Sequence, residues 1–296
     1  MYFLFKKNSL FKESIKLRPV EEFININLYR PLAFLILIIL LKLKNNIKPE
    51  FIVVFHTILI FISSFLILVK DNDYINFIIF FLINLKIVLD NLDGQYSRIR
   101  KLESELGRYL DTIMDFFGNL ALFLSIGIKY NQLFLSILSF FLFTIILSYD
   151  FNLEYLYRAT RGEKFRTDIK DSPSFLLKLL KKIYEIFLEP QDRFIRYFEN
   201  KVFEIIYAFV NKFKKKDCIL DFNIQKKLKG IFFAKFYLHI TANMGLSTQL
   251  FILSILLLFN KELYFFYLII FEFLFLILVL VIRILVILFY GLLIKN

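Results

Sequence analysis

Long apolar runs separated by short polar breaks dominate the pattern of this chain. The clearest run, FIVVFHTILIFISSFLILV (51–69), approaches the roughly 20 residues that a helix needs to cross about 30 Å of hydrocarbon. Alternating segments of about ten residues, which would indicate a transmembrane barrel, are not seen. The pattern therefore predicts an all-α integral membrane protein with six transmembrane helices, at about 51–69, 75–92, 107–128, 133–149, 231–259 and 262–291.

Two other segments are too short or too polar to span. LAFLILIILL (32–41) offers ten residues between basic ends, which predicts an amphipathic helix lying at the membrane interface before the first span. The stretch 150–229 is polar, and its middle (174–210) alternates apolar and charged positions at helical spacing. We expect two amphipathic helices there, broken near Pro190, as a cytoplasmic insert between spans four and five.

The pattern divides the chain into four parts and gives each an expected side of the membrane. These parts are an N-terminal interfacial segment (1–50), spans one to four (51–149), the basic insert (150–229) and spans five and six (230–296). Lys and Arg gather in the first segment, in the insert and in the connection 94–106, so the positive-inside tendency places all three in the cytoplasm. We expect a multi-pass protein of a bacterial or archaeal inner or plasma membrane.

The amino-acid composition further limits the class of protein. The chain is 58% hydrophobic, with a mean hydropathy of +0.64, which excludes an ordinary soluble domain. Its net charge of +12 follows from the basic cytoplasmic segments, so no nucleic-acid partner is expected, whereas membrane lipid is a natural partner. Cys218 is the one cysteine, which excludes an intrachain disulfide and a cysteine metal cage.

Four aspartates lie where the second span ends and the third begins. Asp90 and Asp93 are three positions apart and Asp111 and Asp115 are four apart, so each pair shares one helix face. A short connection would bring the two helix ends side by side. A solvated face with surface ion pairs would explain one such pair, but two pairs at this spacing favour an oxygen-ligand site for Mg²⁺ or Mn²⁺.

Two glycines and an arginine flank the aspartates. Gly94 and Gly107 would let a phosphate or nucleotide approach the helix backbone closely. Arg98 follows Gly94 by four residues and can reach a phosphate oxygen. These three residues extend the predicted metal site into a phosphate site.

The full spacing resembles the signature of the CDP-alcohol phosphatidyltransferase family, D-x-x-D-G-x-x-A-R, eight residues, then G-x-x-x-D-x-x-x-D. The one departure is a serine where the family usually has alanine; serine is small enough to keep the close approach of a nucleotide. The resemblance implies transfer of a substituted phosphate from a CDP-alcohol, such as CDP-diacylglycerol, to an acceptor alcohol with release of CMP. The matching residues are Asp90, Asp93, Gly94, Ser97, Arg98, Gly107, Asp111 and Asp115.

The resemblance also implies a role for each residue of the signature. Asp90, Asp93 and Asp111 would hold the metal, with Asp115 also near it. Asp115 is also the candidate base that orients the attacking hydroxyl or takes its proton. The CDP moiety would be lined by Gly94, Ser97, Arg98 and Gly107.

The sequence gives weaker evidence about the identity of the acceptor alcohol. YRP (29–31) with IKPEFIVVF (47–55) gives a weaker resemblance to the inositol-phosphate-handling branch, whose acceptors carry a phosphate. Arg158 and Arg161 are candidates for that phosphate, although an anchoring role at the membrane surface explains them equally well. Glu272, which is too far from Arg283 to pair within one helix, would bridge helices or the subunits of a homodimer.

Two other classes of function stay open at this point. A metal-diphosphate-dependent membrane prenyltransferase also uses aspartates, but its clusters lie far apart in sequence, whereas only 18 positions separate Asp93 from Asp111. A cation transporter could use the carboxylates for permeation, but such sites usually lie near the bilayer midplane on broken helices. The span-end position of these aspartates favours the phosphotransferase.

Overall fold

A computed structural model describes residues 5–16, 18–42, 47–70, 72–165, 169, 171–213 and 222–293. Within these ranges the regular elements are all helices; the predicted all-α class is confirmed, and Cys218 lies outside the described residues. A π-helical turn, Asn25–Tyr29, leads directly into the second helix. The α-helices are α1 (Ser9–Ser14), α2 (Arg30–Lys42), α3 (Pro49–Val69), α4 (Asp73–Arg100), α5 (Glu105–Lys129), α6 (Leu133–Ala159), α7 (Phe175–Phe187), α8 (Glu189–Phe213), α9 (Phe222–Phe232), α10 (Lys235–Ala242), α11 (Leu246–Leu258) and α12 (Tyr264–Leu293).

Among the described residues, seven segments are long and apolar enough to cross a membrane, against six predicted spans. The additional one is Asn25–Lys42, where the π-helical turn lengthens the segment that the sequence predicts to be interfacial. The predicted fifth span is also interrupted, since the segment Ile224–Leu258 bends at Ala234 and again at Asn243–Gly245. The chain is a multi-span helical membrane protein; six spans with an interfacial helix stay a prediction in their detail.

A tight connection places the end of α4 beside the start of α5. Lys101 adopts a left-handed conformation, with φ of 56°, and ends α4. Ser104 then caps α5 because its Oγ accepts a hydrogen bond from the backbone N–H of Gly107 at 2.9 Å. The same hydroxyl donates to Glu50 Oε1 on α3 at 3.0 Å. The beginnings of α3 and α5 are thereby tied together.

Close helix packing brings α3 against the pair formed by α4 and α5, with which it makes the most extensive contacts in the fold. Gly118 of α5 lies directly against Ile60 of α3, where a Cβ atom on the glycine would come within 2.7 Å of Ile60 Cγ2. Small residues permit this approach between membrane helices. The three helices form the layer that carries the aspartates.

The insert is fastened to the spans by a buried ion pair. Its two helices meet at Leu188, just before Pro190, and α8 packs on α6 and α12. Arg283 of α12 is fully buried, and its two terminal nitrogens lie 2.8 and 3.0 Å from the carboxylate oxygens of Glu199 on α8. Tyr149 of α6 donates to Glu199 at 2.6 Å. Arg283 thus bridges helices within one chain, which is one of the two predicted arrangements.

The other intramembrane acid, Glu272, is also engaged across helices. Its carboxylate accepts a hydrogen bond from the Gln249 side chain of α11. Both polar groups of α12 that the sequence marks out therefore have partners in the same chain. A homodimer stays a prediction.

We predict that Glu199→Ala destabilises the protein by about 3–5 kcal/mol, because it leaves the Arg283 guanidinium buried without a counter-charge. Thermal unfolding of the detergent-solubilised protein, followed by circular dichroism, measures the loss. Glu204→Ala on the same helix is the matched control, because Glu204 forms an exposed pair with Lys201. Equal unfolding temperatures of the two variants would show that the buried pair does not fasten the insert.

Candidate active site

Four side chains from three helices converge at the α4–α5 junction. His56 of α3, Asp90 and Asp93 of α4 and Asp111 of α5 each offer one ligand atom, and these atoms all lie within 4.8 Å of one another. His56 Nε2 is 3.3 Å from Asp93 Oδ2 and 3.8 Å from Asp111 Oδ1. The structure therefore brings together three of the four aspartates that the sequence singles out, and it adds a histidine.

His56 is a group that the sequence analysis missed. It is fully buried, although it sits in the most apolar stretch of the first half of the chain. The signal was present, because His56 is the only ionisable residue between 51 and 69, and such groups inside a span are functional candidates. Its proximity to the aspartates depends on how α3 packs, which the sequence pattern does not specify.

Lys86 is the second missed residue, and it holds the fourth aspartate. Its Nζ lies 2.7 Å from Asp115 Oδ1 and 3.4 Å from Asp90 Oδ2, and its side chain is 2% exposed. Lys86 precedes Asp90 by one helical turn in a largely apolar run, so the i, i+4 pair is readable in the sequence. Asp115 thus lies beside a lysine and stands apart from the four-residue cluster.

The cluster of His56, Asp90, Asp93 and Asp111 fits a divalent cation. Carboxylate oxygens suit Mg²⁺ and Mn²⁺, and an imidazole nitrogen adds a ligand that transition metals accept. The Asp111 side chain is 38% exposed, against 11% for Asp93, so the cluster opens on the α5 side. A buried acidic cluster that can hold a metal ion is therefore present, as the motif predicts.

The residues predicted to line the CDP moiety lie on the last turns of α4 and the first turn of α5. Arg98 donates from Nε to the carbonyl of Ser14, which joins it to the N-terminal segment. Its guanidinium also approaches Gly94, where a Cβ atom would lie 3.1 Å from Arg98 Nη2. Ser97 donates from Oγ to the Gly94 carbonyl at 3.1 Å, so the serine that replaces alanine is bonded within its own helix.

Arg158 and Arg161 are engaged at the end of α6. Arg158 Nε donates to Glu154 Oε1 at 2.9 Å, and its Nη1 is 3.8 Å from Glu163 Oε2. The Arg161 guanidinium stacks 3.6 Å from the centroid of the Tyr157 ring. Arg161 is exposed at the helix end, whereas the Arg158 side chain is only 14% exposed.

A cavity of about 450 Å³ adjoins the aspartates, a size typical of small-molecule sites. Asp111 and Asp115 lie in its wall on one side, and aromatic and aliphatic side chains of α5 and α6 make up much of the rest. The insert lines the far side of the cavity with Tyr184, Leu188, Gln191 and Asp192. The carboxylates therefore face a half-open cavity whose surface is mostly apolar.

Asp192 fixes that far wall to the spans. Its side chain is buried and accepts hydrogen bonds from Asn152 Nδ2 at 2.7 Å, from the Tyr184 hydroxyl at 2.8 Å and from Ser148 Oγ. These donors come from α6 and α7. The buried Asp192 carboxylate thus sets the relative positions of the residues of α6 and α7 that line this part of the cavity.

Comparison with known proteins identifies one family. Residues 46–177 match the family model described as CDP-alcohol phosphatidyltransferase. The matched region contains α3 to α6, with His56, Lys86 and all eight signature residues, and ends within α7. No curated protein and no solved structure matches the chain. The resemblance that the motif predicts is confirmed, and it decides among the three function classes in favour of the phosphotransferase.

We predict that His56→Asn weakens Mn²⁺ binding about 10–100-fold, the loss typical of removing a group that supports a metal site. Electron paramagnetic resonance of free Mn²⁺ during titration of the detergent-solubilised protein measures the affinity. His239→Asn is the control, because His239 is the other histidine of the chain and lies exposed on α10. Unchanged affinity of His56→Asn would remove His56 from the site.

Proposed function

Since this chain belongs to the CDP-alcohol phosphatidyltransferase family, we propose that it transfers a substituted phosphate from a lipid donor such as CDP-diacylglycerol to an acceptor alcohol. CMP is the second product, and the reaction belongs to phospholipid or inositol-phosphate-type synthesis. One observation carries the proposal: the carboxylate cluster opens directly onto a cavity large enough for an acceptor. The concentration of Lys and Arg in the segments around the site supports a cytoplasmic active site.

The cluster supplies the metal-binding side of the site. Asp90, Asp93 and Asp111 would hold Mg²⁺ or Mn²⁺, with His56 as the additional ligand. When bound, a divalent cation neutralises charge on the diphosphate and on the leaving CMP. The positions of these ligands on three helices tie the metal site to the packing of the bundle.

The donor nucleotide would lie along the last turns of α4. Gly94 has no side chain, so the Arg98 guanidinium lies close to the helix backbone there, and Gly107 keeps the first turn of α5 bare of side chain. Arg98 supplies a positive charge for a phosphate oxygen. Ser97 leaves room for the nucleotide beside the helix, since its hydroxyl turns back to the Gly94 carbonyl.

Asp115 would act on the acceptor. It lies in the wall of the cavity, and Lys86 holds one of its oxygens at 2.7 Å. A carboxylate fixed in this way can orient the attacking hydroxyl and receive its proton. The acceptor would lie in the cavity against the insert residues that line it, so the insert would help to select it.

Among the residues that the structure describes, the charges that line the cavity favour an acceptor without a phosphate. The cationic side chain in this part of the wall is Arg18, whose guanidinium lies 2.9 Å from Asp150 and 2.7 Å from Glu154. Burial lowers the pKa of Arg18 and the two carboxylates raise it, with a net rise, so the charge is kept and is balanced within the protein. A phosphate-binding role of Arg158 and Arg161 stays a prediction.

We predict that Asp115→Asn lowers the rate of acceptor-dependent CMP release about 100-fold or more, while Mn²⁺ affinity falls little. The assay uses the detergent-solubilised protein with Mg²⁺ or Mn²⁺, CDP-diacylglycerol, and a panel of alcohols with and without a phosphate. Glu204→Gln on the exposed face of α8 is the control. Wild-type protein that binds CDP and metal but releases no CMP with any donor and acceptor would contradict the proposed function.

We also predict that Leu147→Trp, which fills the cavity, raises the KM for the acceptor at least several-fold and leaves the affinity for CDP unchanged. Leu138→Trp on the same helix is the matched control, because Leu138 is exposed on the outside of the bundle. Loss of CDP affinity instead, with the acceptor KM intact, would assign the cavity to the donor.

A further inference from the structure

Lys86 occupies an unusual position for a lysine in a membrane helix. Its side chain is 2% exposed, and its Nζ lies between carboxylates of two different helices, Asp90 of α4 and Asp115 of α5. Burying an ammonium group is unfavourable unless it is paired. Here both partners belong to the family signature. The pairing therefore concerns the active site itself and not an unrelated structural contact.

Of the four aspartates in the signature, three belong to the four-residue cluster, whereas Asp115 pairs with Lys86. Asp93, Asp111 and His56 converge with one oxygen of Asp90 at the cluster, while Asp115 does not belong to that group. Asp115 Oδ1 instead contacts Lys86 at 2.7 Å, and Lys86 also reaches Asp90 Oδ2 at 3.4 Å. Asp90 thus belongs to both groups, because it offers a ligand atom to the predicted metal site and also contacts the Lys86 ammonium.

This arrangement matches the layout of a two-cation centre with one cation supplied by the chain. In two-metal sites the ions lie about 3.5–4 Å apart and share ligands. A second divalent ion between Asp90 and Asp115 would have to displace the Lys86 ammonium or stay beside it, and like charges at such distances repel strongly in a buried site. Lys86 already provides a positive charge at that position.

We propose that the Lys86 ammonium takes the place of a second divalent cation, so that the protein binds one metal ion, at His56, Asp90, Asp93 and Asp111. The count of metal ions stands on the geometry alone, whereas the consequence for turnover rests on the proposed function. Lys86 is a positioning residue for the reaction: it holds Oδ1 of Asp115 and leaves Oδ2 for the acceptor hydroxyl.

The test counts Mn²⁺ ions bound to the full chain in detergent, with and without CDP, by equilibrium dialysis with metal analysis and by electron paramagnetic resonance. We expect one Mn²⁺ per wild-type chain, with the spectrum of an isolated ion. Removing the ammonium in Lys86→Met or Lys86→Gln opens the second position, so we expect two Mn²⁺ per chain and the broadened spectrum of a coupled pair. Lys86→Arg keeps the charge and is expected to bind one.

Lys129→Met is the matched control, because Lys129 lies at the other end of α5 beside Glu262 and is expected to leave the count at one. Two ions or a coupled spectrum in the wild type would overturn the proposal. So would a count of one in both neutral variants, whose folding is checked by retained CDP binding and size-exclusion profile. If neither neutral variant folds, the Mn²⁺ counts of the wild type and of Lys86→Arg decide the test. Two ions in the wild type, or loss of the single ion in Lys86→Arg, would then contradict the assignment.

Activity gives a separate readout. With the proposed function, the Mn²⁺ dependence of CMP release is hyperbolic in the wild type and becomes sigmoidal in Lys86→Met as a second ion is required. One bound Mn²⁺ without CMP release from any donor would leave the single-metal centre intact and refute the proposed function. CMP release by wild-type protein that binds two Mn²⁺ ions would support the proposed function and refute the single-metal centre.

Discussion

The compensation of negative charge at the α4–α5 junction is the constraint on which this structure depends. Four aspartates lie on facing ends of two membrane helices, where water is scarce and unpaired carboxylates would repel one another. Lys86 neutralises part of that charge from within α4 and is itself buried only because two carboxylates surround it. Asp90, Asp93 and Asp111 form with His56 a group whose negative charge a divalent cation would balance. The fold and the chemistry therefore need the same contacts.

The helices around the junction are shaped to keep those contacts in place. The left-handed Lys101 and the Ser104 cap reverse the chain in the few residues between α4 and α5. Gly118 lets α3 lie close enough for His56 to reach the aspartates. The N-terminal segment contacts three helices: Ser14 accepts from Arg98 on α4, Arg18 pairs with Asp150 on α6, and Glu22 accepts from the backbone of Thr248 on α11.

The parts of this architecture that are local in sequence could be predicted, and those that depend on packing could not. Asp90, Asp93, Asp111 and Asp115 sit at helical spacings across a short connection, so their proximity follows from the sequence. His56 lies 34 positions before Asp90, and only the packing of α3 brings it there. Lys86 was readable as an i, i+4 partner of Asp90, but its contact with Asp115 crosses helices. The length of Asn25–Lys42 depends on a π-helical turn that hydrophobic periodicity does not reveal.

The insert follows the same physical logic as the site, although most of it lies outside the family match. An amphipathic helix on a membrane surface needs only an apolar face, whereas α8 also carries Glu199 and Asp192 in buried positions. Each of these carboxylates is satisfied by donors on the spans: Glu199 by Arg283 and Tyr149, Asp192 by Asn152 and Ser148. Buried polar groups of this kind specify one docking position, because any shift of α8 would leave a charge unpaired. Because buried hydrogen bonds fix this wall, the cavity beside Asp115 keeps a defined shape, which the proposed selection of an acceptor alcohol would require.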